Sequence, residues 1–452
     1  MSTSVGKSIG IIVAIVAVIG VAVLGWYATR PGPLAFASGE TTPLDAYAGT
    51  PTGIPADFTD TDPIARGRYL TAAADCQACH TAPGGKPYAG GLAFKTPFGT
   101  LYSPNITPDA QTGIGSWSDA DFLKTVHKGV GRDGKRLYPA FPYAAYTYLA
   151  DADVLAIKAY LFSLAPVQYT APQNQLAFPF NQRWLMVFWS TLFNPDKRFQ
   201  PATQRSPEWN RGAYLVEALA HCGDCHTPRN RLQALDNNSK FAGAVAAGWR
   251  AYNITTAPVS GIGQWSDAEL AEYLSTGHAA GRGTASGPMA EAVNLSFAQL
   301  TPGDIRAMVV YLKTVPAIET PDLPAPKAEV ASADPKQGAP QGLAADTDQH
   351  GKQIFAGACA GCHSWTGVSS LAPHATLTGT RAVNDPSATN VAQIVLMGST
   401  HPVRNGALAM PAFGAAYNDR EIAAVSNYVT ARFGAKASAI TPEDVGKLRE
   451  TS

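Results

Sequence analysis

The stretch Cys76-Gln77-Ala78-Cys79-His80, "CQACH", decides how this chain is organised. Its two thiols are one helical turn apart, and a histidine follows the second thiol directly. The same spacing returns as "CGDCH" over Cys222–His226 and as "CAGCH" over Cys359–His363. All 6 cysteines of the chain fall in these copies, so none is left for another role.

The spacing C-x-x-C-H is the attachment signature of a c-type haem. Two thiols one turn apart can form thioethers to the two vinyl groups of one porphyrin, and the adjacent imidazole then faces the iron. A zinc site would need pairs close together in sequence, and a thioredoxin-like motif needs one pair and no histidine. Structural disulfides would not place a histidine after every pair. The sequence therefore predicts three haem c groups, attached at Cys76, Cys79, Cys222, Cys225, Cys359 and Cys362, with His80, His226 and His363 as axial ligands.

The first two copies resemble each other well beyond the motif. "NIT" at 105–107 returns at 253–255, and "GIGSWSDADF" at 113–122 returns as "GIGQWSDAEL" at 261–270, with one common offset. Short helical patterns lead into the three motifs, "RGRYL" at 66–70, "RGAYL" at 211–215 and "HGKQIF" at 350–355. A helix-like segment closes each copy, with a tyrosine in the same place: Tyr160, Tyr311 and Tyr428.

A second axial ligand is usual for a c-type haem, and it is commonly a methionine thioether. The third copy offers Met410 in "LAMPAF" and the second offers Met289 in "GPMAEA". The common offset places Phe141 where the second copy has Met289, and "AFP" mirrors "AMP". We predict Met186 as the replacement ligand of the first haem. His127 and a five-coordinate iron behind Phe141 are the alternatives, and core packing is the alternative role of Met186.

From Ile9 to Tyr27 no residue is charged, and 19 residues are enough for a helix that crosses a bilayer. A cleaved signal peptide has a shorter apolar region, although "AFA" at 35–37 resembles a cleavage site. The sequence thus predicts a retained single-pass anchor at the N-terminus, with cleavage as the alternative.

The 452 residues are too many for one ordinary core, and the formal net charge of 0 gives no reason to expect a nucleic-acid partner. The aromatic-rich residues 166–209 are expected to be packing between domains, with a docking surface or a quinone contact as alternatives. The predicted division is an anchor over 1–35, domains over 45–200 and 201–320, a Pro-rich linker over 321–349 and a third domain over 350–435.

The chain resembles the triple-haem cytochrome c subunits of membrane-bound bacterial dehydrogenases, those of the alcohol, aldehyde, gluconate and fructose type. Besides the three motifs, the resemblance rests on "TAPGGKPYAGG", "TPFGTLYSPNITPD", "HKGVGRDGK", "LYPAFPY" and "HTPRN". The resemblance implies a mainly α fold of three tandem class I cytochrome c-like domains plus an N-terminal transmembrane helix. The anchor and Phe141 depart from the alcohol dehydrogenase pattern, and the anchored form resembles cytochromes that accompany molybdenum hydroxylase-type aldehyde dehydrogenases.

The resemblance also implies a function. A catalytic subunit carrying quinone, flavin or molybdopterin, with or without a small subunit, would oxidise an aldehyde or alcohol. Electrons would then pass through the three haems to ubiquinone, on the periplasmic side of the bacterial inner membrane. The chain itself shows no substrate-oxidising motif. The alternatives are a haem enzyme such as a peroxidase, supported by Phe141, and a cytochrome c subunit of a terminal oxidase.

Overall fold

The computed structural model describes residues 30–37, 39–60, 62–334, 345–403 and 406–451, together with Ala14, Val18, Gly20, Val21 and Gly25. Its buried apolar side chains form two clusters. One runs from Ala37 to Val315 and so joins the first two motif regions in one core, and the other runs from Ile354 to Val445.

The first region is built mainly from helices around one small sheet. Its helices are α1 (Pro63–Ala73), α2 (Cys76–Cys79), α3 (Asp119–Lys128), α4 (Tyr143–Tyr146), α5 (Asp151–Ser163) and α6 (Leu185–Phe193). Antiparallel strands β1 (Ala93–Thr96), β2 (Gly99–Tyr102) and β3 (Gln175–Leu176) pair in that order. Single 3-10 turns cover Ala35–Ala37 and Leu44–Ala46.

The second region repeats this plan. Its helices are α7 (Pro207–Tyr214), α8 (Gly223–His226), α9 (Asp267–Thr276), α10 (Pro288–Leu295) and α11 (Pro302–Leu312). A π-helical turn, Leu215–Leu219, continues α7 towards the motif, and 3-10 turns cover Asn237–Ser239 and Phe297–Gln299. The antiparallel pairs are β4 (Ala244–Ala246) with β5 (Trp249–Ala251) and β6 (His278–Ala279) with β7 (Gly283–Thr284).

The third region has its own core. Its helices are α12 (Ala345–Ile354), α13 (Ala360–His363), α14 (Thr389–Met397), α15 (Asp419–Phe433) and α16 (Pro442–Thr451). A π-helical turn, Phe355–Cys359, again leads into the motif, and a 3-10 turn covers Pro373–Ala375. Strands β8 (Ser399–Val403) and β9 (Gly406–Met410) form an antiparallel hairpin.

The repeated "WSDA" is the start of a helix. The hydroxyl of Ser118 accepts a hydrogen bond from the backbone of Asp121, whose carboxylate accepts from the backbone of Ser118. Ser266 and Glu269 form the same capping box at α9. Each box satisfies backbone N–H groups that the first helical turn leaves unpaired.

A glycine lets the opening and closing helices of each copy cross in close contact. A Cβ added at Gly67 would collide with the carbonyl of Ala156, one at Gly212 with that of Ala307, and one at Gly351 with that of Ala424. The next close residue in each case is a tyrosine: Tyr160, Tyr311 or Tyr428. The repeated tyrosine therefore marks the same helix crossing three times.

The first two regions also exchange hydrogen bonds across their shared core. Asp304 at the start of α11 accepts from Tyr69 of the first region and from Arg211 of its own region. Asp153 at the start of α5 accepts from Tyr214 of the second region and from Arg66 of its own.

The fold-class prediction of a mainly α protein with an N-terminal transmembrane helix is wrong. The part of the chain that the structure describes is mixed α/β, because glycine-containing connections such as "AFKTPFGTLY" fold into antiparallel hairpins. Within the described part of the chain, no helix is long and apolar enough to cross a membrane. The run Ile9–Tyr27 lies outside the described residues apart from the isolated positions named above. Its length meets the criterion for a span, but length alone does not separate a span from other apolar segments.

The predicted domain boundaries stay a prediction. The described part of the Pro-rich stretch contacts the third region, since Lys327 donates its backbone N–H to Asn384 Oδ1 at 2.8 Å. Arg250 of the second region pairs with Asp385 of the third at 3.0 Å. These contacts hold the second core against the first.

Candidate haem sites

In each motif the histidine is oriented by a backbone carbonyl. Nδ1 lies 2.8 Å from Pro104 O for His80, 2.6 Å from Tyr252 O for His226 and 2.6 Å from Ala375 O for His363. A carbonyl only accepts, so Nδ1 carries the proton and Nε2 keeps its lone pair. This second hydrogen bond is the usual way in which a protein fixes a metal-ligating histidine. The three imidazoles therefore fit an axial position on iron.

Burial lowers the pKa of His80, His226 and His363. The neutral imidazole, which is the form that binds a metal, is thus favoured before any iron is present.

The six thiols are all free of disulfide bonds. Burial raises the pKa of Cys79 and Cys222 to about 12 and that of Cys225 and Cys359 to about 11. No group of three or more metal-ligating side chains is present among the described residues, so the pairs do not converge on a zinc site there.

In the first two regions, the repeated "NIT" segment fixes the position of the backbone carbonyl that accepts from the motif histidine. Asn253 follows Tyr252 directly, and its Oδ1 accepts from the backbone and hydroxyl of Thr255 at 2.8 and 2.7 Å. Its Nδ2 donates to the carbonyl of Ile318, 2.5 Å away.

Asn105 follows Pro104 and is bonded in the same way. Its Oδ1 accepts from the backbone and hydroxyl of Thr107 at 2.9 and 2.7 Å, and its Nδ2 donates to Val167 O at 2.7 Å. Sequence reasoning found the repeat but not this positioning role. The signal was the triplet Asn-Ile-Thr, which is present in both copies.

The first and second motifs lie side by side. The Tyr146 ring is 5.4 Å from that of His221, the residue before Cys222, and its hydroxyl donates to Ala74 O at 2.6 Å. Helix α10 contacts both α2, which carries the first motif, and strand β8 of the third region. The second region therefore contacts both of the others, while Lys95 Nζ of the first region also reaches Glu450 O of the third at 2.7 Å.

Met289 and Met410 lie on different kinds of element. Met289 is the second residue of α10 and packs, half-buried, against the first core. Met410 ends β9 and packs, half-buried, against the second core. Both stay predicted sixth ligands.

Phe141 packs against a neighbouring aromatic side chain. Its ring lies 5.5 Å from that of Tyr146 in an edge-on contact. His127 is buried, with Nδ1 3.0 Å from Tyr146 O and Nε2 3.2 Å from Asp151 Oδ1, so both nitrogens face protein groups. This arrangement disfavours His127 as the replacement ligand. Met186 is half-buried in α6 and stays a prediction.

A histidine held by a carbonyl beside two thiols one turn apart, with this helix crossing around it, defines a c-type cytochrome. Residues 64–165 match the family described as cytochrome c, and residues 346–429 match the one described as cytochrome C oxidase, cbb3-type, subunit III.

Similar proteins extend the match over most of the chain. The chain is 39% identical to the gluconate 2-dehydrogenase cytochrome c subunit of Pantoea cypripedii, over 86% of this chain and 89% of that one. It is 38% identical to the fructose dehydrogenase cytochrome subunit of Gluconobacter japonicus, over 85% and 82%. It is also 42% identical to one of the nicotinate dehydrogenase subunits of Pseudomonas putida, covering 82% of this chain but only 30% of that longer protein.

The chain belongs to the family of cytochrome c subunits of dehydrogenases. The resemblance is thus confirmed, and so is the prediction of an electron-transfer subunit that carries covalent haem c. The relatives favour this function over the peroxidase and terminal-oxidase alternatives.

Proposed function

We propose that the chain carries three haem c groups and conducts electrons from the catalytic subunit of a dehydrogenase to ubiquinone in the bacterial inner membrane. The observation that carries this proposal is the threefold repetition of a motif histidine whose Nδ1 donates to a backbone carbonyl. Bound haem iron supplies a reversible one-electron change, and the chain supplies its attachment, orientation and burial.

The electron donor is a catalytic subunit that oxidises an alcohol or aldehyde, with or without a small subunit. Relatives named for gluconate, fructose and alcohol dehydrogenase support an alcohol group as the substrate's reacting part. The chain operates on the periplasmic side of the inner membrane, where c-type haems are attached in bacteria.

The packing supports a series with the second region in the middle. Helix α10, which bears Met289, contacts the first motif helix on one side and β8 of the third region on the other. His278 of the second region stacks on His374 of the third with ring centres 4.3 Å apart. Close packing of this kind shortens the path that an electron must cross between neighbouring sites.

The test is to purify the native complex and identify its subunits. We expect a dehydrogenase subunit whose substrate reduces all the haem, and a ubiquinone analogue that reoxidises it. A variant with Cys222→Ala and Cys225→Ala should keep the partner but lose reoxidation, because the middle of the series is missing. Co-purification with a haem–copper subunit instead, or full turnover in the variant, would contradict the proposal.

A further inference from the structure

A buried ion pair lies beside the second motif. Lys240 Nζ is 2.6 Å from Glu217 Oε2, and the two side chains are only 6% and 5% exposed. The hydroxyl of Tyr311 donates a hydrogen bond to the other carboxylate oxygen, Oε1. Burial raises the pKa of Glu217, while the Lys240 ammonium and the Tyr311 hydroxyl act in the opposite direction. These two contacts favour the ionised carboxylate, which burial alone would disfavour.

The pair is attached to the chain on both sides of the motif. Glu217 lies in the π-helical turn that leads into the motif, and the carbonyl of Val216 just before it accepts from the backbone N–H of Cys222 at 3.1 Å. Lys240 lies beyond the motif, and the backbone N–H of the residue after it donates to the hydroxyl of Thr227 at 3.1 Å. Thr227 directly follows the motif histidine. The backbone thus fixes both charges relative to the cysteines that attach the second haem.

The other two regions carry no charge at the position of Glu217. Five residues beyond the glycine of the helix crossing, the second region has Glu217, the first has Ala72 and the third has Ala356. Pro87 takes the place of Lys240 in the first region, because the carbonyl of the following residue accepts from an isoleucine backbone N–H at 2.9 Å in both regions. The same helix crossing therefore forms without the ion pair, and the fold does not require it.

Stability is also a weak reason for such a pair. Removing two charges from water costs free energy that their attraction offsets only in good geometry, and apolar residues of similar volume are often just as stable. The pair does act on the second motif. Burial raises the pKa of the Cys222 thiol to about 12, the Glu217 carboxylate raises it further, and the Lys240 ammonium lowers it by less. The net influence of the pair on the motif is therefore that of a negative charge.

Another ion pair at the second motif lies closer to water. Asp224, between the two cysteines, has a carboxylate oxygen 3.4 Å from the guanidinium of Arg229, and these side chains are 20% and 33% exposed. Water and salt screen such charges more strongly than buried ones. Glu217 acts through a medium of lower dielectric constant, in which a charge has a longer reach.

We propose that Glu217, kept ionised by Lys240 and Tyr311, lowers the reduction potential of the second haem. Ferric haem carries one more positive charge than ferrous haem, so a buried negative charge nearby favours the ferric form. The inference rests on the proposed function, because it requires a haem attached at Cys222 and Cys225. It adds that a charge found only in the second region, and not the axial ligands alone, sets the potential of that haem.

The test is a redox titration of the full haem-loaded chain at about pH 8, well above the usual carboxyl pKa, with chemical mediators and without a dehydrogenase. The variant with Cys222→Ala and Cys225→Ala identifies the wave of the second haem, because that wave is lost. Glu217→Gln should raise the potential of this wave, changing the redox equilibrium constant about tenfold, or about 59 mV for one electron, and should leave the other waves in place. Glu208→Gln is the matched control, since it removes an exposed carboxylate from α7, the helix that the π-helical turn continues.

Two further variants separate this role from a structural one. Glu217→Gln with Lys240→Met removes the unpaired ammonium that the single variant leaves buried, so it should fold even where the single variant does not. Its second-haem wave should also rise, but by less, because the carboxylate has the larger influence at the motif. Lys240→Arg keeps the charge and should keep the wild-type potential.

A second-haem potential that stays at the wild-type value in both Glu217 variants, with all haems still attached, would overturn the proposal. An equal shift of every wave would overturn it as well, since the charge would then have no particular relation to the second motif. These titrations do not depend on a dehydrogenase. A substrate that fails to reduce the haems in the native complex would contradict the proposed function and would leave the potentials unchanged.

Discussion

Tyr69 donates a hydrogen bond of 2.6 Å to the buried carboxylate of Asp304, 235 residues further along the chain. Tyr214, the equivalent residue of the second region, donates in the opposite direction, to Asp153 of the first region at 2.8 Å. Each aspartate also accepts from an arginine of its own region. The first two regions therefore complete each other's buried polar groups, and we expect them to unfold together.

Removing one exchanged hydroxyl tests this coupling. Tyr69→Phe should lower the free energy of unfolding by about 1–2 kcal/mol, because a buried bond to a carboxylate is lost while Arg211 still pairs with Asp304. Tyr169→Phe is the control, since that side chain is 38% exposed. Urea unfolding of the haem-loaded protein measures both, and equal stabilities would show that the exchanged bond contributes nothing.

Asn253→Ala tests the positioning of the second histidine. The side chain is buried, so its loss should cost about 1–3 kcal/mol. It should also change the EPR signal of the second haem, because the Tyr252 carbonyl is no longer held. Asn238→Ala is the control: because this side chain is exposed, its loss should leave both the stability and the EPR signal unchanged. A variant that loses stability with an unaltered EPR signal would reduce Asn253 to a structural role.

The carboxyl group of Glu269 should make the stability of the protein depend on pH. Hydrogen bonds from Arg282, and weaker ones from Ser266, lower the pKa of this carboxyl to about 2. The folded pKa lies below the unfolded value of about 4.3, so the stabilisation is complete above that value and is lost as the pH falls towards 2. Glu269→Gln should therefore lose less stability than the wild type between pH 4.5 and 2 in thermal unfolding. Glu272→Gln, which does not cap the helix, should follow the wild type, and parallel curves for all three proteins would contradict the prediction.

Met410→Leu tests the sixth ligand of the third haem. A thioether raises the reduction potential relative to harder donors or an open position. The variant should therefore show one haem with a lowered potential and altered near-infrared and EPR signals. Met397→Leu is the control, because that methionine is 46% exposed on α14. A redox titration in which both variants match the wild type would remove Met410 from the ligand set.

Part of this architecture can be predicted from the sequence, because the same residues recur at equivalent positions in the repeats. The spacing of Cys76, Cys79 and His80 fixes the motif turn, and the recurring tyrosines mark the helix crossings at Gly67, Gly212 and Gly351. Of the carbonyls that orient the histidines, those of Pro104 and Tyr252 are marked only by the "NIT" that follows them, and that of Ala375 has no such mark.

Other features depend on tertiary packing. A repeat shows that Tyr69 and Tyr214 are equivalent, but it does not show that each reaches the aspartate of the other region. Short hairpins such as β1 and β2 lack the long alternation by which strands are recognised. The sequence also does not predict that one side of α6 is exposed, because an aromatic-rich stretch has the same composition whether it is buried or exposed.

The most direct test of the account is the number of haems bound covalently to one chain. We predict that acid acetone leaves the colour on the denatured polypeptide and that a pyridine haemochrome assay finds three haems per chain. Cys359→Ser with Cys362→Ser should reduce that number to two. Colour that is extracted completely, or fewer than three haems in the wild type, would contradict the central claim.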